Sequence, residues 1–251
     1  MIIRNKLRCL SIISASFFGL LPTTTPALNF DPISAHMGID YHELGVRPRT
    51  EFKPTFPIIH EGSNIYAGFR SGDWRGCRWG GFNWGLDLGW ENSEKATKIA
   101  RLPANFQFFN MQSSAGDVTQ VQTRFKGWHT DLMVYKNIVP AYFDLLFTAG
   151  VAIQRPHATI YYTPQATGVA EDYHVTGDSK LIGRFGFGAQ WMFLKWLGVR
   201  GLVTWSNNRP FTYYGQQNTP AGIVSFEGRP YNPDMGFYLG LVARTSPISK
   251  F

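Results

Sequence analysis

The chain has 251 residues, 44% of them hydrophobic and only 16% charged, with a formal net charge of +7. Aromatic residues at 16% exclude a disordered chain. Beyond residue 21 no run of 18 apolar residues exists to build a spanning helix, so abundant glycine and aromatic residues point to many strands and turns.

The first stretch reads as a transport signal. Arg4, Lys6 and Arg8 precede an apolar run over 9–21, and Pro22, three threonines, Pro26 and Ala27 follow, with small residues at the expected cleavage position. The run is too short to cross a bilayer. This predicts a cleaved signal peptide over 1–27 and a single domain over 28–251. Losing three basic residues lowers the net charge from +7 to +4 and leaves little reason to expect a nucleic-acid partner. Cys9 goes with the signal, so Cys77 stands alone and no internal disulfide or cysteine metal site is expected.

The mature chain alternates apolar and polar residues with a period of two. Over 141–154, Ala141, Phe143, Leu145, Phe147, Ala149, Val151 and Ile153 share one face, and Asp144, Thr148, Gly150 and Gln154 lie on the other. The same rule holds over 35–41, 65–69, 82–90, 128–134, 181–193, 197–205 and 235–243. The apolar face is interrupted only by Thr130, Gly183 and Gly201 and carries no charge. The opposite face holds Asp40, Arg70, Asp87, Glu91, Asp131, Asp144, Arg184, Arg200, Asp234 and Arg244, with His36, His42, His129 and many glycines.

A soluble sandwich would carry Lys, Glu, Thr and Ser on its polar face, and glycine on an exposed strand face weakens the strand for no gain. Inside a narrow barrel the same glycines make room for Arg and Tyr. The polarity therefore reads inside-out: an all-β, closed antiparallel transmembrane β-barrel, apolar side to lipid, an up-and-down meander of eight strands. A ten-stranded variant arises if 104–112 and 117–124 form a hairpin of their own. Short turns at 137–140 and 194–195 alternate with long connections at 46–61, 92–123, 156–179 and 209–233, which are expected to be extracellular loops. Aromatic residues such as Trp79, Trp128, Trp191, Trp196 and Trp205 gather near strand ends, where interfacial girdles lie.

The pattern over 34–245 resembles the small eight-stranded outer-membrane barrels typified by the OmpA membrane domain, OmpX and the Opa adhesins. The stretch Arg184-Phe-Gly-Phe-Gly-Ala-Gln-Trp through Gly198-Val-Arg-Gly-Leu carries it best. The resemblance implies a last strand ending in an aromatic residue; here Phe251 is aromatic, but Pro247 interrupts the strand before it. The partners it implies are outer-membrane lipid and lipopolysaccharide, the barrel-assembly machinery and periplasmic chaperones, with a surface ligand for the loops.

Enzyme motifs are weak, and no catalytic residue, metal or cofactor is assigned. A lipid A deacylase needs His-x-Ser-Asn, but Thr204-Trp205-Ser206-Asn207 puts threonine in the histidine's place, so Ser206 lacks a base. Glu91 and His129 face inward on neighbouring strands, as members of a polar core. His36 and His42 are six residues, about 20 Å, apart along a strand and cannot share one ion. His157, His174, Glu171 and Asp172 read as solvated loop groups. Gly186 and Gly188 sit inside a strand, not a phosphate loop.

The ten inward charges are expected to form a paired plug, with Arg184 meeting Asp144 on the adjacent strand, because eight strands leave room for little but side chains. Two functions follow from this. The first is a plugged barrel displaying surface loops, for envelope integrity, adhesion or antigen exposure. The alternative is a narrow porin-like channel. By facing, a charge at Leu145 should disturb the fold more than one at Leu146.

Overall fold

The computed structural model describes residues 33–71, 82–108, 111–139, 142–207, 210–219, 222–232 and 235–245. The predicted signal, Cys77, Trp79, Asp234, Pro247 and Phe251 lie outside them. The described residues form fourteen strands: β1 (Ser34–Pro48), β2 (Ile59–Arg70), β3 (Phe82–Ser93), β4 (Ala96–Arg101), β5 (Gln107–Phe108), β6 (Met111–Gln112), β7 (Val118–Val139), β8 (Phe143–Thr163), β9 (Glu171–Gly177), β10 (Lys180–Trp191), β11 (Leu197–Ser206), β12 (Phe211–Thr219), β13 (Gly222–Asn232) and β14 (Met235–Arg244).

Every pairing is antiparallel, and the ladder closes on itself. β1 pairs with β2, β2 with β3, β3 with β7, β7 with β8, β8 with β10, β10 with β11, β11 with β14, and β14 with β1. A closed ring leaves no unpaired edge among these strands, which is what an apolar solvent demands of a sheet. The short-turn end is tight: Met192 N donates to Tyr142 O at 2.7 Å, and Leu194 N to Leu197 O at 3.0 Å.

The count of eight expected from the sequence does not describe this sheet. Each of those segments matches a ring strand, with 141–153 starting before β8 and 181–193 ending beyond β10, but β4, β9, β12 and β13 come from stretches read as loops. They continue the ladder at the far end, where β4 pairs β7, β9 pairs β8, β12 joins β9 to β13, and β13 reaches β1. The hairpin proposed for a ten-stranded variant is also absent. The segment 118–124 belongs to β7, which pairs there with β4, and within 104–112 the two-residue pair β5–β6 forms instead.

The outward face explains the length. On β8, Leu145, Phe147, Val151 and Ile153 are exposed while Asp144, Leu146, Thr148 and Ala152 are buried. From Phe143 to Ile153 is ten residue steps, about 33 Å along the strand, or about 25 Å of height at a 35–45° tilt. That is the height of a lipid-facing band. Trp90 and Trp128 close the band at the long-strand end, their rings 4.8 Å apart, and Trp191 and Trp196 lie exposed at the other.

Beyond Ile153 and Trp128 the polarity inverts. Val121 and Phe125 on β7, and Ala158, Ile160 and Tyr162 on β8, point inward and are buried, whereas Gln120, Gln122, Arg124 and Lys126, with Arg155, His157 and Thr159, point outward. This is the pattern of a sheet in water around a dry core. The long strands therefore carry the barrel roughly 30 Å further along their axes, nine steps from Gln154 to Thr163 on β8.

Candidate functional site

The interior holds three arginine-centred groups stacked along the barrel axis, and above them an aromatic cluster. Nearest the short turns, Arg70 donates from both terminal nitrogens to Asp144, at 2.6 and 3.0 Å, with its guanidinium 4.5 Å from the Tyr135 ring centroid. In the middle, Arg200 Nη1 donates to Asp87 Oδ2 at 2.6 Å and Nη2 to Asp40 Oδ2 at 3.0 Å. Its guanidinium lies 3.5 Å from the Tyr66 ring centroid, and His36 Nε2 is 2.6 Å from Asp87 Oδ1.

The outer group centres on Arg184. Its Nε donates to Asp131 Oδ1 at 2.7 Å, its Nη2 donates to Asp131 Oδ2, and its Nη1 donates to Glu91 Oε1. Glu91 also accepts from Tyr238 OH at 2.9 Å and from Gln154 Nε2 at 2.9 Å. His129 faces two acceptors, Asp131 Oδ2 at 2.7 Å and Asn64 Oδ1 at 2.9 Å, while Asn64 Nδ2 donates to Asp40 Oδ2 at 3.3 Å. Asn64 thus joins the middle group to the outer one. All the arginines and acids of these groups are buried, where unpaired charge would be costly and a fork-shaped guanidinium satisfies two carboxylates at once.

Glycine makes these contacts geometrically possible. Arg184, Gly150 and Asp131 lie in one lateral row across β10, β8 and β7. Arg200, Gly240 and Asp40 lie in another, and His36, Gly68 and Asp87 in a third. Each pair meets above a residue with no side chain. A Cβ at Gly150 would stand 2.3 Å from Asp131 Oδ1, and one at Gly240 2.5 Å from Asp40 Oδ1.

Above the outer group the barrel is filled by rings. Phe56, carried in by the β1–β2 connection with its short 3-10 turn Thr50–Phe52, meets Tyr231 edge-on at 5.5 Å. Phe125 meets Phe211 at 4.8 Å, and Tyr231 OH donates to Pro57 O at 2.6 Å. Phe56, Phe125, Phe211, Tyr213 and Tyr231 are at most 2% exposed, and burying each such side chain contributes roughly 1.5–3 kcal/mol. The cluster lies between the long-strand end and the three arginine-centred groups.

Of the charged residues singled out from the sequence, Asp40, Arg70, Asp87, Glu91, Asp131, Asp144, Arg184 and Arg200 are buried in these groups. Asp234 lies outside the described residues. Arg244 sits at the short-turn end, its Nε donating to Lys195 O at 3.0 Å, within electrostatic reach of Arg70 and Asp144. The expected Arg184–Asp144 pair is also absent. Arg184 stands opposite Gly150 on β8, six residues or about 20 Å along the strand from Asp144, and the bidentate partner of Asp144 is Arg70. Asn64, Gln154, Tyr66 and Tyr135 take part without having been flagged; their inward strand parity was the available signal. Both ring nitrogens of His42, Asp40 Oδ1 and Arg200 Nε have no hydrogen-bond partner among the described residues.

Glu91 and His129 approach to 3.9 Å but are at most 3% exposed, beneath the aromatic cluster and away from any solvent-reachable substrate. Thr204, which stands in the histidine's place, is buried, and Ser206 is half-buried. Outside the band, His157 stands on the outer face beside Arg124, Lys126 and Arg155. Burial first, then those three charges, hold its pKa below the ordinary imidazole value, a setting that repels cations. Among the described residues no group of three or more His, Cys, Asp or Glu is placed to hold a metal ion.

No protein-family model matches the chain, and no curated protein sequence matches it. Solved structures do show similarity. A major outer membrane protein from Thermus thermophilus is 10% identical with a TM-score of 0.47, covering 84% of this chain and 99% of that one. The outer membrane protease OmpT of Escherichia coli is 12% identical with a TM-score of 0.45, covering 89% and 100%. Ail, the attachment invasion locus protein of Yersinia pestis, in complex with the heparin analogue sucrose octasulfate, is 11% identical with a TM-score of 0.37, covering 85% and 99%. These are outer-membrane proteins of differing roles, and at such low similarity no ligand or activity passes from them to this chain.

Proposed function

We propose that this protein is an outer-membrane β-barrel with a plugged interior, whose work is done on the strand-built extension beyond the membrane and not by conduction or catalysis. The observation that carries this reading is the inverted polarity along β7 and β8. One end of the barrel is dressed for lipid, the other for water, and both are filled by side chains. The short-turn end then faces the periplasm and the extension faces outward. A rigid extension with a dry aromatic core suits a surface role such as envelope integrity, adhesion or antigen display.

Two measurements test it. The protein should fractionate with outer membranes and require detergent for extraction; recovery of the folded chain from soluble periplasm would refute the location. In planar bilayers the folded barrel should give no discrete conductance steps. Reproducible, ion-selective steps would replace the plug with a narrow channel.

A further inference from the structure

Just above the Trp90–Trp128 pair, the outward faces of β7 and β8 carry four basic groups in two adjacent cross-strand pairs. Lys126 lies opposite Arg155, and Arg124 opposite His157. The residues below them, Trp128 and Ile153, belong to the lipid-facing band. None of the four forms an ion pair with a described carboxylate. Two acids lie near. Glu94, two residues beyond Asn92, the partner of Lys126 on β3, has its carboxylate within electrostatic reach of Tyr41 and its backbone N bonded to Glu61 O. Asp178, beyond β9, is hydrogen-bonded by Tyr214. Like charges set directly opposite one another destabilise a sheet, so this arrangement lacks a structural rationale within the chain.

The same two strands continue upward into a groove of about 430 Å³ lined by Ile99, Gln120, Gln122, Tyr161 and Thr163. Its nearest lining residue on β7, Gln122, is two residues or about 7 Å along the strand from Arg124. From the membrane outward one stripe therefore runs apolar, then cationic, then amide and aromatic. That order matches acyl chains, phosphate and sugar.

Resting on the outer-membrane reading, we propose that Arg124, Lys126 and Arg155 bind the phosphates of an outer-leaflet phosphoglycolipid, lipid A in chemical class, with its sugars seated against Gln120, Gln122 and Tyr161. Guanidinium forks suit phosphate oxygens, and His157 adds a ring donor. Tyr161 offers its ring face to a sugar and the glutamines offer amide donors and acceptors.

The test uses the full mature barrel refolded in zwitterionic micelles and titrated with bis-phosphorylated lipid A, read by tryptophan fluorescence. Each basic residue beside an anionic surface is worth about a fivefold change. Lys126→Gln with Arg155→Gln should therefore weaken binding roughly 25-fold, whereas Arg47→Gln with Arg229→Gln, an equal charge change elsewhere on the extension, should leave it intact. Circular dichroism confirms that both variants are folded. Tyr161→Ala should weaken full lipopolysaccharide more than lipid A. Equal binding by the two double variants would overturn the site. Equal binding of phosphatidylglycerol would reduce it to a generic anionic contact, and saturation by inorganic phosphate at the same concentration would make it a soluble-anion site; either result overturns the glycolipid assignment. Because binding is measured in micelles, its failure is separable from a failure of cell fractionation to place the chain in the outer membrane.

Discussion

Arg184 and Asp131 form a buried ion pair although their strands do not touch: β8 runs between β10 and β7, and Gly150 on β8 opens the space through which guanidinium meets carboxylate. Arg200 with Asp40 across Gly240, and His36 with Asp87 across Gly68, use the same device: one group on one strand, glycine on the next, and the partner one strand further on.

The first prediction tests the device itself. A methyl at Gly150 would stand 2.2 Å from Thr130 O and 2.3 Å from Asp131 Oδ1, so backbone or ion pair must shift. Gly150→Ala should destabilise by about 1–3 kcal/mol, the usual penalty of overpacking. Gly183→Ala, whose added carbon would have nothing nearer than Asn207 at 4.0 Å, should be neutral or mildly stabilising. Urea unfolding in lipid vesicles separates them, and equal effects would show that the rows are not sterically set.

A second prediction concerns partner choice. A double-mutant cycle between Arg70→Ala and Asp144→Ala should reveal a coupling of about 1.5–3 kcal/mol, since truncating either member leaves a charge buried near the short-turn end. The cycle between Arg184→Ala and Asp144→Ala should give about zero within 0.5 kcal/mol, because those residues share no partner. Coupling in the second cycle and none in the first would restore the pairing expected from strand adjacency.

That expectation failed for a definable reason. Period-two alternation located every ring strand and the inward parity of Asp131, Asp144 and Arg184, since one apolar face is legible residue by residue. It does not give register, and register decides that Arg184 is level with Gly150 and far from Asp144. The extension was misread for a related reason. At Lys126 on β7 and Arg155 on β8 the polar residues move to the outer face, so a reading that follows one apolar face sees the strand end where only its solvent changes. Val121, Phe125, Ile160 and Tyr162 still alternate there, in the opposite phase. Breaks at Asp178 and Pro210 on the return strands interrupted the pattern further.

A third prediction is a pH dependence on the extension. Asp117 accepts hydrogen bonds from Tyr162 OH, from Gln165 N at 2.9 Å and from Ser114 N at 2.7 Å, and these hold its carboxyl below the usual carboxylate range, the tyrosine bond foremost. A depressed pKa contributes stability that is fully present above about pH 4 and is lost as pH falls through the folded value. Limited proteolysis at 163–170 should therefore be constant from pH 8 to about pH 5 and accelerate only below about pH 4. Asp117→Asn should be cleaved faster at neutral pH and lose that dependence. A wild-type profile that changes between pH 5 and 8 would point to another group.

The last prediction places the membrane boundary on β8 by charge insertion. Phe147 faces outward near the middle of the band and is 54% exposed, while Thr163 ends the same strand beyond the polarity inversion. Arginine at the midplane of a lipid-facing strand costs about 2–4 kcal/mol, so Phe147→Arg should lose that much in a lipid unfolding assay. Thr163→Arg should stay within about 0.5 kcal/mol, as exposed substitutions in water do. Leu146 tests the inner side, and here the structure changes the ranking drawn from the sequence. Leu146 is 1% exposed and clusters with Met133 and Tyr135 between the charged groups. Leu146→Arg removes that packing and inserts a charge with no assigned acid, so it should cost at least as much as the lipid-facing change, not less. In detergent micelles thinner than a bilayer the Phe147 penalty should shrink while the Leu146 penalty persists, because only the first is set by the solvent outside the barrel. A Phe147→Arg barrel as stable as wild type in lipid would mean that this face does not meet hydrocarbon.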